Sequence, residues 1–186
     1  MYRTILTRYR QPMASSLRYF SWNGKVVVIT GASSGIGEEL GLLYAKKGAN
    51  VILAARRADK LESVTSRCLS SSKEKGFNSE VIALSCDVSK ENDCKQLIDS
   101  TIAKFGKLDM LILNAGVGQS FFFEATSESF DIRQFMDINY YGCVYPTMFG
   151  LPYLHKTGGR IVVVSSLGGL MPFPRQTFYN ATKVEQ

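Results

Sequence analysis

Short runs of β-branched and aliphatic residues alternate along this chain with longer stretches in which apolar residues recur every three or four positions. The runs are Val26 to Thr30, Val51 to Ala55, Val81 to Ser85, Leu108 to Leu113 and Arg160 to Ser165. They are nearly continuous rather than alternating, the pattern of parallel strands buried on both faces. Between them the spacing predicts helices near Gly37 to Lys47, Asp59 to Ser70, Lys90 to Phe105 and Asp131 to His155. Such an order predicts an α/β fold, a doubly wound parallel sheet between two helical layers. Gly48 after Lys46 and Lys47 reads as a helix stop, because glycine tolerates the left-handed turn and cations suit a helix C-terminus. Ser70 to Gly76 reads as a polar loop, and Pro146 and Pro152 predict a kink or break in the fourth helix.

Four motifs fall at strand ends or on a helix. Thr30-Gly31-Ala32-Ser33-Ser34-Gly35-Ile36-Gly37 follows the first strand and opens a helix. Glycines there allow a tight turn and close backbone approach, and a helix N-terminus offers free N–H groups to a phosphate. The second strand ends in Arg56-Arg57, where a carboxylate would suit a ribose 2′-hydroxyl. Arg56 offers a charged fork matched to a 2′-phosphate, with Arg57 as a second contact, which favours NADP(H) over NAD(H). A pair of solvated arginines opening a helix is the other reading.

Leu113-Asn114-Ala115-Gly116-Val117 ends a strand in small residues against which a flat ring can lie, and is equally a simple strand exit. Tyr179-Asn180-Ala181-Thr182-Lys183 puts a phenol and an ammonium one helical turn apart. The cation stabilises the phenolate, so the hydroxyl can exchange a proton with a substrate oxygen. Ser166, at the end of the fifth strand, is placed to hydrogen-bond that oxygen.

The net charge of +6 is confined to one end: Arg3, Arg8, Arg10, Arg18 and Lys25 stand in a stretch with no Asp or Glu, and the remainder is close to balanced. This argues against a nucleic-acid surface, which needs basic residues spread over a folded face. Residues 1–22 form a basic arm with the composition of a mitochondrial transit peptide. A disordered extension of a cytoplasmic or ER-associated protein is the alternative. The arm lacks the unbroken apolar run of a secretory signal or membrane anchor, so no transmembrane segment is expected. Cys68, Cys86, Cys94 and Cys143 form no Cys-x-x-Cys pair and His155 is the sole histidine, so no metal site is expected.

With these motifs in order from Asn23 to Lys183, the chain resembles the short-chain dehydrogenase/reductase family, and within it 11β-hydroxysteroid dehydrogenase-like members. The resemblance implies a Rossmann-type NADP(H)-binding domain over residues 23–186. Gly31, Ser33, Ser34, Gly35, Ile36 and Gly37 form its glycine turn, Asp87 and Val88 its adenine contact, and Asn114, Ala115 and Gly116 its Asn-Ala-Gly motif. It implies hydride transfer between a nicotinamide and a carbonyl or alcohol carbon of a small molecule, sterol-like or lipid-like. Tyr179 would be the general acid/base, Ser166 the orienter of the substrate oxygen, and Lys183 the holder of the nicotinamide ribose. Asn139 would anchor a proton-relaying water from a local helix break.

Family members pair as homo-oligomers through the fourth long helix and the Tyr-Lys helix. The family also continues well past the lysine, through the rest of that helix, two strands and a substrate-covering segment. Without them Lys183 is expected to hold Tyr179 loosely, and the fifth strand to be an exposed apolar edge. A non-catalytic nucleotide-binding or partner-binding remnant is the alternative function.

Overall fold

In the computed structural model, which describes residues 21–118, 120–125 and 131–186, five strands form one parallel sheet in the order β3-β2-β1-β4-β5. The strands are β1 (Val26–Thr30), β2 (Asn50–Ala55), β3 (Val81–Ser85), β4 (Met110–Leu113) and β5 (Arg160–Val163). The helices are α1 (Gly35–Ala45), α2 (Ala58–Glu74), α3 (Glu91–Phe105), α4 (Arg133–Met136), α5 (Gly142–Thr157) and α6 (Thr177–Val184), with a π-turn, Asp137–Tyr141, joining α4 to α5. The basic arm, apart from Ser21 and Trp22, lies outside the described residues. Among those residues no helix is long and apolar enough to cross a membrane.

Continuous apolar runs on the central strands are explained by what covers them. Successive side chains point to opposite faces, so Val27 and Ile29 join Leu42, Leu53 and Leu61 on one side of the sheet. Val26 and Val28 join Ile52, Leu97, Ile98 and Leu154 on the other. All five residues of β1 are buried, and each large aliphatic side chain removed from water stabilises by roughly 1.5–3 kcal/mol. β5, one of the two edge strands, is different: Val162 and Val163 are 40% and 38% exposed, an apolar edge as the sequence leads one to expect.

The ends of elements depart from the sequence reading in physically informative ways. Helix α2 runs on to Glu74, so most of the supposed loop from Ser70 to Gly76 is helical. Its buried Ser72 is satisfied by Ser79, whose Oγ in turn donates to the carbonyl of Ala45. Those partners remove the usual objection to serine in a helix.

The helical pattern also passes through Pro146 and Pro152, and the interruption lies upstream in the π-turn. Side-chain donors reinforce this stretch: Thr147 Oγ1 donates to the Cys143 carbonyl and Cys143 Sγ to that of Asn139. Gly48 does turn left-handed, with φ +84°.

One buried carboxylate ties the start of β1 to the entry of β4. Asp109 accepts from the Val26 N–H at 2.9 Å and from Lys25 Nζ at 2.8 Å, with Lys107 Nζ 3.5 Å away. Burial pushes its carboxyl up, but the Lys25 and Val26 hydrogen bonds and the Lys107 charge outweigh that and hold it below the usual range. A carboxyl depressed in the folded state stabilises the fold above its unfolded value of 3.8, and loses that contribution as pH falls through the lower folded value. Asp109→Ala is expected to lower unfolding free energy by about 2 kcal/mol in urea titrations at pH 7, because it leaves a buried N–H unpaired. The gap from the parent protein should narrow as the pH drops below 3.8 and the ionic part of the contribution is lost.

Candidate active site

At the C-terminal edge of the sheet, the chain leaves β1 toward β2 on one side and returns to β4 on the other. This reversal opens a crevice between the exits of β1 and β4. A cleft of about 330 Å³ lies there, lined by Gly31, Ser33, Ser34 and Ile36 after β1, and by Arg56 and Arg57 after β2. Cys86, Asp87 and Val88 after β3, Asn114 to Val117 after β4, and Ile138 complete it.

The first wall is built by close approach. A Cβ on Gly31 would stand 2.7 Å from Ala115 Cα, and one on Gly37 2.5 Å from Asn114 Nδ2. These two glycines therefore let β1 and β4 exit side by side. Gly35 serves the turn instead, with φ +60° and nothing within 4 Å of its missing Cβ. Thr30, fully buried, binds the two exits together: its Oγ1 accepts the N–H groups of Asn114 and Ala115. Asn114 Nδ2 answers by donating to the carbonyls of Thr30 and Gly31.

No side chain caps the N-terminus of α1, leaving its N–H groups toward the turn unmet by a capping residue. Beside it, Arg57 donates from Nη2 to both Ser33 Oγ and Ser34 Oγ at 2.8 Å. The guanidinium fastened to the glycine turn is thus that of Arg57. Arg56 lines the same cleft with no hydrogen bond or ion pair to another described residue. Asp87 Oδ1 accepts from the Ser89 hydroxyl and N–H.

The far end of the cleft meets α6. Gly116, one of its lining residues, has its missing Cβ 3.3 Å from Asn139 Oδ1 and 3.9 Å from Lys183 Nζ. Lys183 is 6% exposed, its Nζ donates to the Val164 carbonyl, and it lies 5.7 Å from the centre of the Tyr179 ring. Burial holds this ammonium below the usual lysine range, with the Cys143 thiol acting the other way. Lys183 is packed inward, with Tyr179 half-buried beside it, where α6 docks against the 167–169 turn and the π-turn. Gly168 joins the remaining group: its N–H donates to Ser166 Oγ, and its missing Cβ lies 3.3 Å from the Tyr179 ring edge. Asn139 and Lys183 thus stand beside Gly116 at the cleft, and Ser166 and Tyr179 meet across Gly168 next to Lys183, although none of the four is itself a lining residue.

Asn139 itself is fully buried and its carboxamide is spent on protein. Its Oδ1 accepts from the Val117 N–H, and its Nδ2 donates to the Val117 carbonyl and Thr182 Oγ1. It ties the loop after β4 to α6, so the side chain has its partners already, and its main-chain carbonyl accepts from Gln186 Nε2 and Cys143 Sγ. Thr30, Thr182 and Gln186 belong to the site and were not singled out from sequence. A hydroxyl ending an all-apolar strand was the signal for Thr30, whereas Gln186 carried none. Among the described residues, no group of three His, Cys, Asp or Glu side chains is placed to hold a metal ion.

Residues 25–185 match the family model described as short chain dehydrogenase. An 11-beta-hydroxysteroid dehydrogenase of Pinus massoniana is 48% identical over 160 residues, which is 86% of this chain and 44% of that protein. The 11-beta-hydroxysteroid dehydrogenase-like 2 of Arabidopsis thaliana is 48% identical over 169 residues, 90% of this chain and 53% of its own length. This chain thus spans about half the length of these curated relatives.

Among solved structures, an alcohol dehydrogenase of the archaeon Thermococcus sibiricus complexed with 5-hydroxy-NADP superposes with a TM-score of 0.80 at 31% identity. That match covers 88% of this chain and 67% of that one. A short chain dehydrogenase/reductase of Burkholderia phymatum in complex with NAD gives 0.80 at 30% identity, over 89% and 57% respectively.

Asn139→Ala should strip the half-buried Val117 N–H of its partner and leave the Thr182 hydroxyl with only its bond to the Tyr179 carbonyl. A loss of about 2–3 kcal/mol in thermal or urea unfolding is expected, and faster hydrogen exchange at Val117 is the local readout.

Proposed function

This chain belongs to the short-chain dehydrogenase family, and from that premise we propose that it serves as an NADP(H)-dependent oxidoreductase acting on a carbonyl or secondary alcohol. The observation that carries the reading is Gly116, which lines the nucleotide-sized cleft while standing within reach of both the Lys183 ammonium and Asn139. One groove therefore runs from a phosphate-suited turn to an acid/base pair. The residues present fit a dinucleotide: an uncapped helix N-terminus for its pyrophosphate, Asp87 and Val88 toward its adenine side, and Asn114 to Gly116 for a flat ring. When bound, the nicotinamide supplies or accepts the hydride.

The protein's own groups supply the rest. Tyr179 gives or takes the proton at the substrate oxygen, and Ser166 Oγ, oriented by Gly168, hydrogen-bonds that oxygen. Lys183 contributes a buried positive charge that favours the phenolate and would donate to the ribose of a bound nucleotide. Asn139 keeps Val117 and Thr182 in register so that the pair faces the cleft.

Arg57 supports the choice of NADP(H), because its charge is already fastened beside Ser33 and Ser34, where a 2′-phosphate would find a guanidinium and two hydroxyls. A sterol-like or lipid-like substrate is supported by the apolar rim beside Ser166 and Tyr179, where Leu167, Leu170 and Met171 are 55%, 84% and 56% exposed. The names of the curated relatives point the same way.

Arg57→Ala should weaken NADPH binding about tenfold or more, measured by nucleotide fluorescence, and leave NADH little changed. Equal losses for both would remove the 2′-phosphate role. Tyr179→Phe should cut carbonyl reduction on a ketone panel by at least about 10²-fold while NADPH affinity holds. Turnover unchanged by that substitution would end the acid/base assignment, and tight NADPH binding without turnover in the parent protein would favour a nucleotide-binding remnant.

A further inference from the structure

The Lys183 ammonium has a second partner that the proposed chemistry does not use. Lys183 Nζ donates to Gln186 Oε1 at 2.8 Å, and Gln186 Nε2 donates to the main-chain carbonyl of Asn139 at 2.5 Å. That carbonyl sits in the π-turn and also accepts from Cys143 Sγ. Val184 and Glu185, the residues just before, are exposed, whereas Gln186 turns inward and is half-buried. A primary amide has an acceptor at one end and donors at the other, and both ends are here matched to groups of the right polarity.

We propose that Gln186 is a positioning residue for Lys183: its carboxamide bridges the ammonium to the π-turn carbonyl of Asn139 and sets how firmly the ammonium keeps its proton. This rests on the reading of Tyr179 and Lys183 as the acid/base pair, and it assigns that pair a regulator outside the Tyr-x-x-x-Lys motif.

The physical reasoning follows from solvation. A buried ammonium is charged at the expense of its hydration, and each protein acceptor restores part of it. Of the three N–H donors on Lys183, one goes to the Val164 carbonyl and one to Gln186. Removing the amide leaves the cation with less compensation, so it should release its proton at lower pH. The bridge also has a direction. A carboxylate in place of the amide would strengthen the hold on the ammonium but could not donate to the Asn139 carbonyl, and the two oxygens would repel.

The test reads the ammonium directly, in the full chain without cofactor, by ¹⁵N NMR of lysine-labelled protein with Lys183→Arg to assign the signal. In Gln186→Ala the Lys183 ammonium protons should exchange about tenfold faster, the worth of one hydrogen bond to a charged group. The titration midpoint should move down. In Gln186→Glu the midpoint should move up, while the backbone amides of the π-turn shift as the Asn139 carbonyl loses its donor. Thermal unfolding of both variants should stay near that of the parent, since Gln186 lies beyond α6.

An unchanged Lys183 signal in Gln186→Ala would overturn the proposal. So would midpoints moving the same way in both variants, or a change shared by every lysine. Because no turnover enters the measurement, a failed oxidoreductase reading would show in the Tyr179→Phe assay and leave this result standing.

Discussion

Everything in the site depends on how closely β1 and β4 can leave the sheet side by side. The exits pack so near that a Cβ at Gly31 would press on Ala115 and one at Gly37 on Asn114. The buried Thr30 hydroxyl then accepts two backbone N–H groups from the opposite exit, and Asn114 returns two hydrogen bonds. Gly31 serves this approach and also lines the cleft, together with Ser33, Ser34 and Ile36, beside the uncapped start of α1. Strand packing and cleft shape are one constraint here, not two.

From that joint the remaining groups are placed in sequence. Val117, just past β4, is gripped on both its backbone atoms by Asn139. Asn139 reaches Thr182 on α6, which brings Lys183 and Tyr179 to the cleft's end. Tyr179 and Lys183 are thus suspended from the sheet through a buried carboxamide rather than by a direct bond between phenol and ammonium. A loosening at Thr30 or Asn139 would be felt at Tyr179 without touching it.

What could be read from sequence was whatever depends on near neighbours along the chain. The strands showed as apolar runs because both faces are buried, and the glycine turn and Tyr-Lys pair showed because their spacing is local. The break at Asn139 showed only through the family resemblance and not in the local periodicity, since the extra residue of the π-turn is maintained by Asn139 reaching Val117 and Thr182, 22 and 43 positions away. Pro146 and Pro152 do not break the helix, which runs on to Thr157 because packing against distant parts of the chain holds it, and that packing is not legible from near neighbours. Ser72 was mistaken for loop because its partner Ser79 and the Ala45 carbonyl are tertiary. Arg56 and Arg57 are indistinguishable by composition, and only the folded positions of Ser33 and Ser34 separate them.

The π-turn has a further effect on the long helix that contains it. Past it, Gly142, Pro146, Gly150 and Leu154 form a buried stripe of mostly small residues at a stride of four, letting α5 lie against Val88, Leu108 and Leu111. Before it, Phe135 is buried elsewhere, 6.3 Å from the ring of Phe178, while Ile138 within the π-turn already shares the packing of Val88, Leu111 and Leu154. A regular helix would advance each residue by a constant angle and could not aim both stretches at once. One residue of surplus length re-phases the rod midway, so that a single helix seats its first part over the aromatic cluster near Tyr179 and its second in the sheet's groove. The chain length between Phe135 and Gly142 is therefore as constrained as any side chain there, although no single residue in the stretch announces it.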